Sequence, residues 1–278
     1  MALQFQVDED VCVGCGECAN VCPFQLIEMK GINPAISESN ELSCVQCQHC
    51  FAVCSTGALS ILGLDPSDSI TINGSSVEPL QLSTLMKGRR SVRLYKKEPV
   101  ARQDLDLLLE TISYAPTGVN NRQVHFTMID NPEVMERLRE RTYEKLNTIH
   151  STNAYPPGMD YFKQYIADAL ENNRDTIFRG APHMLIASSP KTSPSPEVDC
   201  HIALTYFELL AASMGLGTVW CGLGKGVLTM LIPELLRELG IPETHLVGYV
   251  MMFGKPDVTY HRTVQRSSMS VNRVQQIG

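Results

Sequence analysis

The chain has 278 residues, 44% of them hydrophobic and 19% charged, with a net charge of −7; this balance suits a folded chain with room for two modest domains and excludes a disordered one. No run of about eighteen apolar residues occurs, and Met1–Asp10 is polar and acidic rather than an apolar leader, so a cytoplasmic protein with no membrane partner is expected. Up to Leu64 seven acids meet one base, which places −6 of the −7 there. An acidic face of this kind disfavours nucleic acid and suits docking to a basic redox partner, although it would also simply keep a small domain soluble.

Eight of the ten cysteines stand in two runs, Cys12-x2-Cys15-x2-Cys18-x3-Cys22-Pro23 and Cys44-x2-Cys47-x2-Cys50-x3-Cys54. Three cysteines at steps of three wrap one corner of a 4Fe-4S cubane, and the fourth leads into a helix aimed at the other cluster. The spacing therefore predicts crossed ligation, with Cys12, Cys15, Cys18 and Cys54 on one cluster and Cys44, Cys47, Cys50 and Cys22 on the other. A zinc site would need two well-separated cysteine pairs, which these crowded runs do not offer. The two runs superimpose at an offset of 32 residues, an internal duplication in which each half has too little apolar surface for a core of its own, so the clusters replace the missing packing. The stretch resembles the bacterial two-cluster ferredoxins, departing only at Ser55, where proline is expected and where a serine could add a hydrogen bond near the cluster. Cys200 and Cys221 are left over, too few for a disulfide framework.

Turn-rich Asp65–Asp68 and Asn73–Ser76 mark a linker over 65–78, between an N-terminal domain of 1–64 and a second of 79–278. The second domain alternates patterns. A short helix carries Leu80, Leu82, Leu85 and Met86 and ends at Gly88; another carries Leu105, Leu107, Leu108, Leu109 and Ile112 and stops before Pro116. Val124–Ile129 alternates as a strand, Asn131-Pro132 opens a long charged helix to about Ile149, and the aromatic-rich 151–178 reads as a mobile flap containing a helix. A buried strand at Met184–Ala187, a long apolar helix from about Val198 to Met214, a strand at Thr218–Cys221, helical turns to Leu239 and a last strand at Leu246–Phe253 follow. The tail from Lys255 is polar and basic, and is expected to lie across a partner subunit.

Arg89, Arg90, Ser91 and Arg93 place three guanidinium groups and a hydroxyl within five residues, a composition that fits phosphate oxygens; cations complementing a helix C-terminus would read the same in isolation. Taken with Ala115–Asn120, with Gly215–Gly222 after a long helix, and with Arg262 and Arg266 in the tail, the stretch resembles the nitroreductase-like FMN enzymes from about residue 80 onward. That resemblance implies an α+β fold, a central sheet flanked by helices, and a homodimer with FMN at its interface. It implies that Arg89, Arg90, Ser91 and Arg93 hold the FMN phosphate and ribityl chain with Arg266, or second Arg262. It also implies that Asn120 reaches the flavin ring and that the backbone at Cys221 and Gly222 lies along the ring edge. Where such enzymes show Gln-Pro-Trp after the asparagine, this chain has Arg122-Gln123-Val124.

Other signals read as structural. Asp199 fits a helix cap or a satisfied buried carboxylate better than a catalytic group, and His183 and His201 fit packed or capping roles. Cys221 lacks a neighbouring base, so a buried, flavin-adjacent thiol is expected rather than a nucleophile. The chemistry would then belong to FMN rather than to a catalytic side chain. The expected function is an FMN-dependent oxidoreductase in which two 4Fe-4S clusters feed electrons to FMN for reduction of a nitroaromatic, quinone or activated alkene. The donor would be a ferredoxin-like protein or NAD(P)H. The alternative is an electron-transfer carrier that relays electrons between redox partners with no small-molecule substrate.

Overall fold

The computed structural model describes residues 3–72, 74–172 and 174–277. It divides into two compact units, Met1–Val77 with Thr117–Arg122, and Glu78–Pro116 with Gln123–Gly278.

The first unit contains β1 (Gln6–Val7), α1 (Glu17–Asn20), β2 (Ile27–Lys30), β3 (Asn33–Ile36), α2 (Glu38–Glu41), α3 (His49–Ala52) and β4 (Leu59–Ser60). Strand β1 pairs antiparallel with β4, and β2 with β3. The duplication is visible in the backbone as well as in the cysteines. Gly14, Gly16 and Gln25 have φ of 66°, 75° and 53°, and their counterparts Gln46, Gln48 and Gly57 have 55°, 61° and 68°. Glycine takes this left-handed region at little cost, whereas each glutamine there is strained; the loop geometry is kept even where the sequence does not favour it. The core is small, built on Leu3, Ile27, Phe51, Leu59 and Ile61 together with Cys18 and Cys50. In the linker stretch Asp65 accepts the Ser67 amide at 2.8 Å and caps a single 3-10 turn at Pro66–Asp68, while Ile70, Ile72 and Val77 stay exposed. Asn73 lies outside the described residues.

The second unit runs α4 (Pro79–Gly88), α5 (Arg102–Ile112), β5 (His125–Ile129), α6 (Pro132–Ser151), α7 (Tyr161–Glu171), β6 (His183–Pro190), α8 (Pro196–Ser213), β7 (Gly217–Trp220), α9 (Gly222–Gly226), α10 (Glu234–Glu238) and β8 (His245–Gly254). The sheet order is β5-β6-β8-β7, with every neighbouring pair antiparallel. Because successive side chains on a strand face opposite ways, Met184 and Ile186 on β6 and Val250 and Met252 on β8 enter one core, with α6 and α7 residues. Leu185, Ala187, Met251 and Phe253 enter the other, with α5 and α8 residues. The sheet is therefore buried on both faces, which explains why its two central strands read as unbroken apolar runs. Helix starts follow local chemistry. Asn131 caps α6 by accepting the Glu133 amide at 2.8 Å, and Pro132 occupies a first-turn position where its missing N–H costs nothing. His183 is fully buried, accepts the Val100 amide on Nε2 at 2.9 Å and stacks on Phe253. Burial holds its imidazole below the usual range; it is a packed histidine.

The expected flap at 151–178 is corrected. It contains a helix, α7, but Phe162, Ile166, Ile177 and Phe178 are completely buried in the core. Gly226 in α9 has the Phe162 ring where a Cβ would be, a close approach that any larger residue would block. Asp175 fastens the segment. It accepts Arg139 Nε at 2.8 Å, the Tyr143 hydroxyl at 2.8 Å, and the amides of Phe178 and Gly180 at 2.8 and 2.7 Å. Of the aromatic residues Phe162 and Phe178 are core residues while Tyr161 and Tyr165 stay exposed, and the Pro156-Pro157-Gly158 turn only precedes the helix. Among the described residues, no helix is long and apolar enough to cross a membrane.

Candidate functional sites: two cysteine cavities and an arginine-rich edge

In the first unit the eight cysteines gather four and four. One cavity, with about 380 Å³ of space free of atoms, is lined by Cys12, Cys15, Cys18 and Cys54 with Val7, Met29 and Leu59 among its apolar walls. The other, with about 360 Å³ of such space when open solvent is included, is lined by Cys22, Cys44, Cys47 and Cys50 with Leu3, Phe5, Ile27 and Ile61. These are the two groups that the crossed spacing predicts. Burial pushes the Cys18 thiol up, with Cys15 and Cys54 adding to the effect. Burial likewise pushes Cys50 up to about 11, opposed by the Phe51 amide and reinforced by Cys44, Cys47 and Cys22. A buried thiol whose ionisation is disfavoured by burial and by neighbouring thiols, as at Cys18 and Cys50, is the situation that a bound cation relieves. Among the described residues no three Cys, His, Asp or Glu side chains close around a single ion. A cubane, whose four ligands sit on the corners of a larger body, fits such a donor set better than mononuclear zinc does.

Donors also reach the sulfurs. Cys22 Sγ accepts the Leu26 amide and Cys44 Sγ the Gln46 amide, each at 3.4 Å. Burial pushes the Cys54 thiol up, but hydrogen bonds from the Thr56 hydroxyl and from the Leu59, Ala58 and Thr56 amides outweigh it and leave it below its ordinary value. The side-chain donor at this cysteine is thus Thr56, one residue beyond the Ser55 on which the sequence reading fixed.

In the second unit the arginine-rich stretch follows α4 and runs beside β7. Ser91 forms a bridge to Thr218, the Val92 amide donates to the Thr218 carbonyl at 2.9 Å, and the Tyr95 hydroxyl holds the Val92 carbonyl at 2.7 Å. Val92 occupies the space a Cβ on Gly217 would need, so only glycine fits there. The four expected phosphate contacts separate into different roles. Arg89 is a correction: its Nη1 pairs at 3.0 Å with Glu208, a largely buried carboxylate of α8 that also accepts the Thr218 hydroxyl at 3.2 Å. Its charge is spent inside the fold, because a buried carboxylate left unpaired is costly. Arg90 donates through Nη2 to the Lys87 carbonyl at 2.9 Å, but its Nε is buried with no partner. Arg93 is exposed and touches the Ser91 carbonyl at 3.3 Å. Arg262 and Arg266 lie in an exposed tail without regular structure.

Cys221 and Gly222 sit where β7 ends and α9 begins. Cys221 donates its S–H to the Ile177 carbonyl at 3.0 Å and accepts the Gly224 amide at 3.3 Å, and burial pushes its thiol up to about 11. It is a structural thiol. Beside it, Tyr249, Trp220 and His201 form an edge-to-face aromatic group, and Lys225 Nζ lies 5.2 Å above the Tyr249 ring. Asp199 is almost fully buried in the first turn of α8. Asn120, expected at a flavin ring, is also corrected. It belongs to the first unit, where its side-chain amide donates to the Val45 carbonyl at 2.8 Å, and left-handed backbone at Val119, Asn120 and Arg122 shapes that turn. Glu208 and Tyr249 escaped the sequence reading because their partners are distant in the chain and no local pattern marks them.

An antiparallel sheet between helix layers, an arginine-bearing edge at the start of β7 and a module of two four-cysteine cavities define a redox protein of fused type. Residues 86–255 match the nitroreductase family, which is more than half of the chain, and residues 7–58 match a 4Fe-4S dicluster domain. The chain therefore belongs to the nitroreductase family, carries an N-terminal 4Fe-4S domain, and is an oxidoreductase. It is 30% identical over 151 residues to "FMN reductase [NAD(P)H]" of Bacillus subtilis, covering 53% of this chain and 56% of that one. It is 26% identical over 138 residues to an iodotyrosine deiodinase of Thermotoga neapolitana, covering 50% and 72%. A solved nitroreductase with bound FMN from Bacteroides fragilis shares the fold, with a TM-score of 0.56 at 24% identity, over 69% of this chain and 99% of that one.

Proposed function

We propose that this protein is an FMN-dependent reductase supplied with single electrons through two 4Fe-4S clusters, and that its acceptor is a nitroaromatic, quinone or activated alkene. The observation that carries the reading is the gathering of eight cysteines, four and four, around two cavities in a chain whose other unit has the nitroreductase fold. FMN supplies the conversion between one- and two-electron chemistry, which the clusters lack. The cluster ligands are Cys12, Cys15, Cys18 and Cys54, and Cys44, Cys47, Cys50 and Cys22.

For FMN, the residues of this chain divide the work. Arg90, with its unpartnered buried Nε, Ser91 and Arg93 take the phosphate, aided by Arg266 or Arg262 of the tail. The backbone at Cys221 and Gly222 borders the ring. Arg89 holds the socket's shape through Glu208 rather than meeting the ligand. The reading includes a cytoplasmic homodimer. In its support, the tail presents Met269, Val271, Val274 and Ile277 to solvent and α4 presents Leu80, Leu82 and Met86, apolar groups that a second subunit would cover. The donor is a reduced one-electron carrier protein, with NAD(P)H a second route in view of the relatives' names.

Arg90→Ala should weaken FMN about tenfold to a hundredfold, the effect of about 1.5 to 3 kcal/mol for a lost charge-assisted contact. Riboflavin, which lacks the phosphate, should bind both proteins alike; unequal loss of riboflavin would move the phosphate elsewhere. The function itself is tested with Cys15→Ala/Cys47→Ala, which breaks both cysteine sets. Followed by stopped-flow absorbance, this variant should retain FMN and reduce an acceptor once its flavin is reduced chemically. It should not be reduced when a ferredoxin is the sole donor. Equal flavin reduction by ferredoxin in variant and parent would remove the clusters from the entry path.

A further inference from the structure

We propose that the Thr56 hydroxyl is a positioning and tuning group for the cluster held at Cys54, raising its reduction potential through a hydrogen bond to the Cys54 sulfur. The inference rests on the two-cluster reading above. Thr56 Oγ1 lies 3.7 Å from Cys54 Sγ, within reach of a hydrogen bond to sulfur. In a free thiol either atom could donate, but a cysteine bound to iron has lost its proton, so the hydroxyl must then be the donor. Reduction of a cluster adds negative charge that spreads onto its sulfur ligands. A donor aimed at one of them stabilises the reduced form more than the oxidised form, and the potential rises.

The duplication supplies an internal comparison. The residue 32 positions before Thr56 is Phe24, which follows Cys22 as Thr56 follows Cys54. Around both cysteines the backbone takes the same course, with left-handed residues at Gln25 and Gly57. Both also receive backbone donors: Leu26 gives its amide to Cys22 at 3.4 Å, and its counterpart Ala58 gives its amide to Cys54 along with Leu59. The amide four residues on is therefore a donor common to the two sites, Cys54 is influenced by the Leu59 and Thr56 amides besides, and the side-chain donor belongs to Cys54. Phenylalanine carries nothing to donate. Glu17 lines the first cavity where His49 lines the second, a difference that acts on the potentials in its own right. It is unchanged in a Thr56 variant, so substitution at Thr56 isolates the hydroxyl.

The test is an anaerobic EPR-monitored redox titration of the full chain, reconstituted with iron and sulfide, in the parent and in Thr56→Val and Thr56→Ser. In Thr56→Val one of the two clusters should become harder to reduce, its one-electron equilibrium shifting three- to tenfold, the upper end being about 59 mV. Thr56→Ser, which keeps the hydroxyl, should restore most of the parent value, and the second cluster should not move in either variant. Phe24→Thr should raise the second cluster without moving the first. Identical titrations for the parent and Thr56→Val, or equal shifts of both clusters, would overturn the proposal. A parent with only one cubane signal and about four irons would instead overturn the two-cluster reading on which it stands, so the two failures are told apart before any variant is compared.

Discussion

Replacing Cys22 with alanine should remove about half of the iron, roughly four of eight atoms per chain, and the half lost should be the cluster on Cys44, Cys47 and Cys50 rather than the one beside it in sequence. The reason is spatial. Cys22 lines the cavity of the second run, with Leu26 and Ile27, while Cys54 crosses to the cavity of the first. Pairing the substitutions makes the assignment decisive, because groups that act as one unit are non-additive and groups in separate units add. Cys22→Ala with Cys47→Ala should lose no more iron than either alone. Cys22→Ala with Cys15→Ala should lose nearly all of it. Anaerobic iron analysis gives the answer directly, and retention of about four irons by the second pair would show that each run serves its own cluster.

Asp175→Ala is expected to produce the largest loss of stability in the second unit. Four donors converge on this carboxylate, from Arg139, Tyr143, Phe178 and Gly180, and the side chains of Asp175 and Arg139 are only 14% and 13% exposed. Removing this carboxylate leaves Arg139 with Glu136 as its remaining acid partner and deprives the Phe178 and Gly180 amides of their acceptor, at a cost of about 3 to 5 kcal/mol for the unsatisfied groups and the lost charge-assisted contact together. The consequences spread, because Ile177 and Phe178 belong to the core that α6 and α7 share. Trp220, the single tryptophan of the chain, lies at the end of β7 and reports on this unit alone. Its fluorescence in urea should show a midpoint lower by roughly 1 to 3 M. A shift below 0.5 M would mean that Arg139, through its contact with the Ala181 carbonyl, holds the segment without the carboxylate.

Much of this architecture was readable where a residue's role depends on its near neighbours. The cysteine steps, the Asn131-Pro132 start of α6 and the alternation in β5 are of that kind, and the helices and strands fall close to where the patterns place them. Misreadings have a common origin in contacts between distant residues. Arg89 looked free because Glu208 is 119 positions away, and only the fold brings that carboxylate to it. Tyr155, Tyr161, Phe162 and Tyr165 looked like a flap because their polar flanks hid a helix face whose fully buried members are Phe162 and Ile166. Asn120 was placed by resemblance, and its amide has a carbonyl partner at Val45 that no short window contains. Thr56 was overlooked in favour of Ser55 because the spacing draws attention to the residue where proline is expected, while geometry favours the next one.

The assignment of Thr117–Arg122 to the first unit has a practical side. The chain passes from one unit to the other three times, after Val77, after Pro116 and after Arg122, so the fusion is threaded rather than strung end to end. A protease that cut the 65–78 linker would sever the N-terminal fragment covalently, leaving residues 117–122 on the other fragment and only noncovalent contacts, such as that of the Asn120 amide with the Val45 carbonyl, between these two parts of the first unit. Expression of the second unit alone, from a start codon near Glu78, would carry residues 117–122 along without Val45 to receive the Asn120 amide. A graft of this electron-entry module onto another reductase would need to bring both segments, a long N-terminal one and a six-residue insertion taken from the acceptor side of the gene.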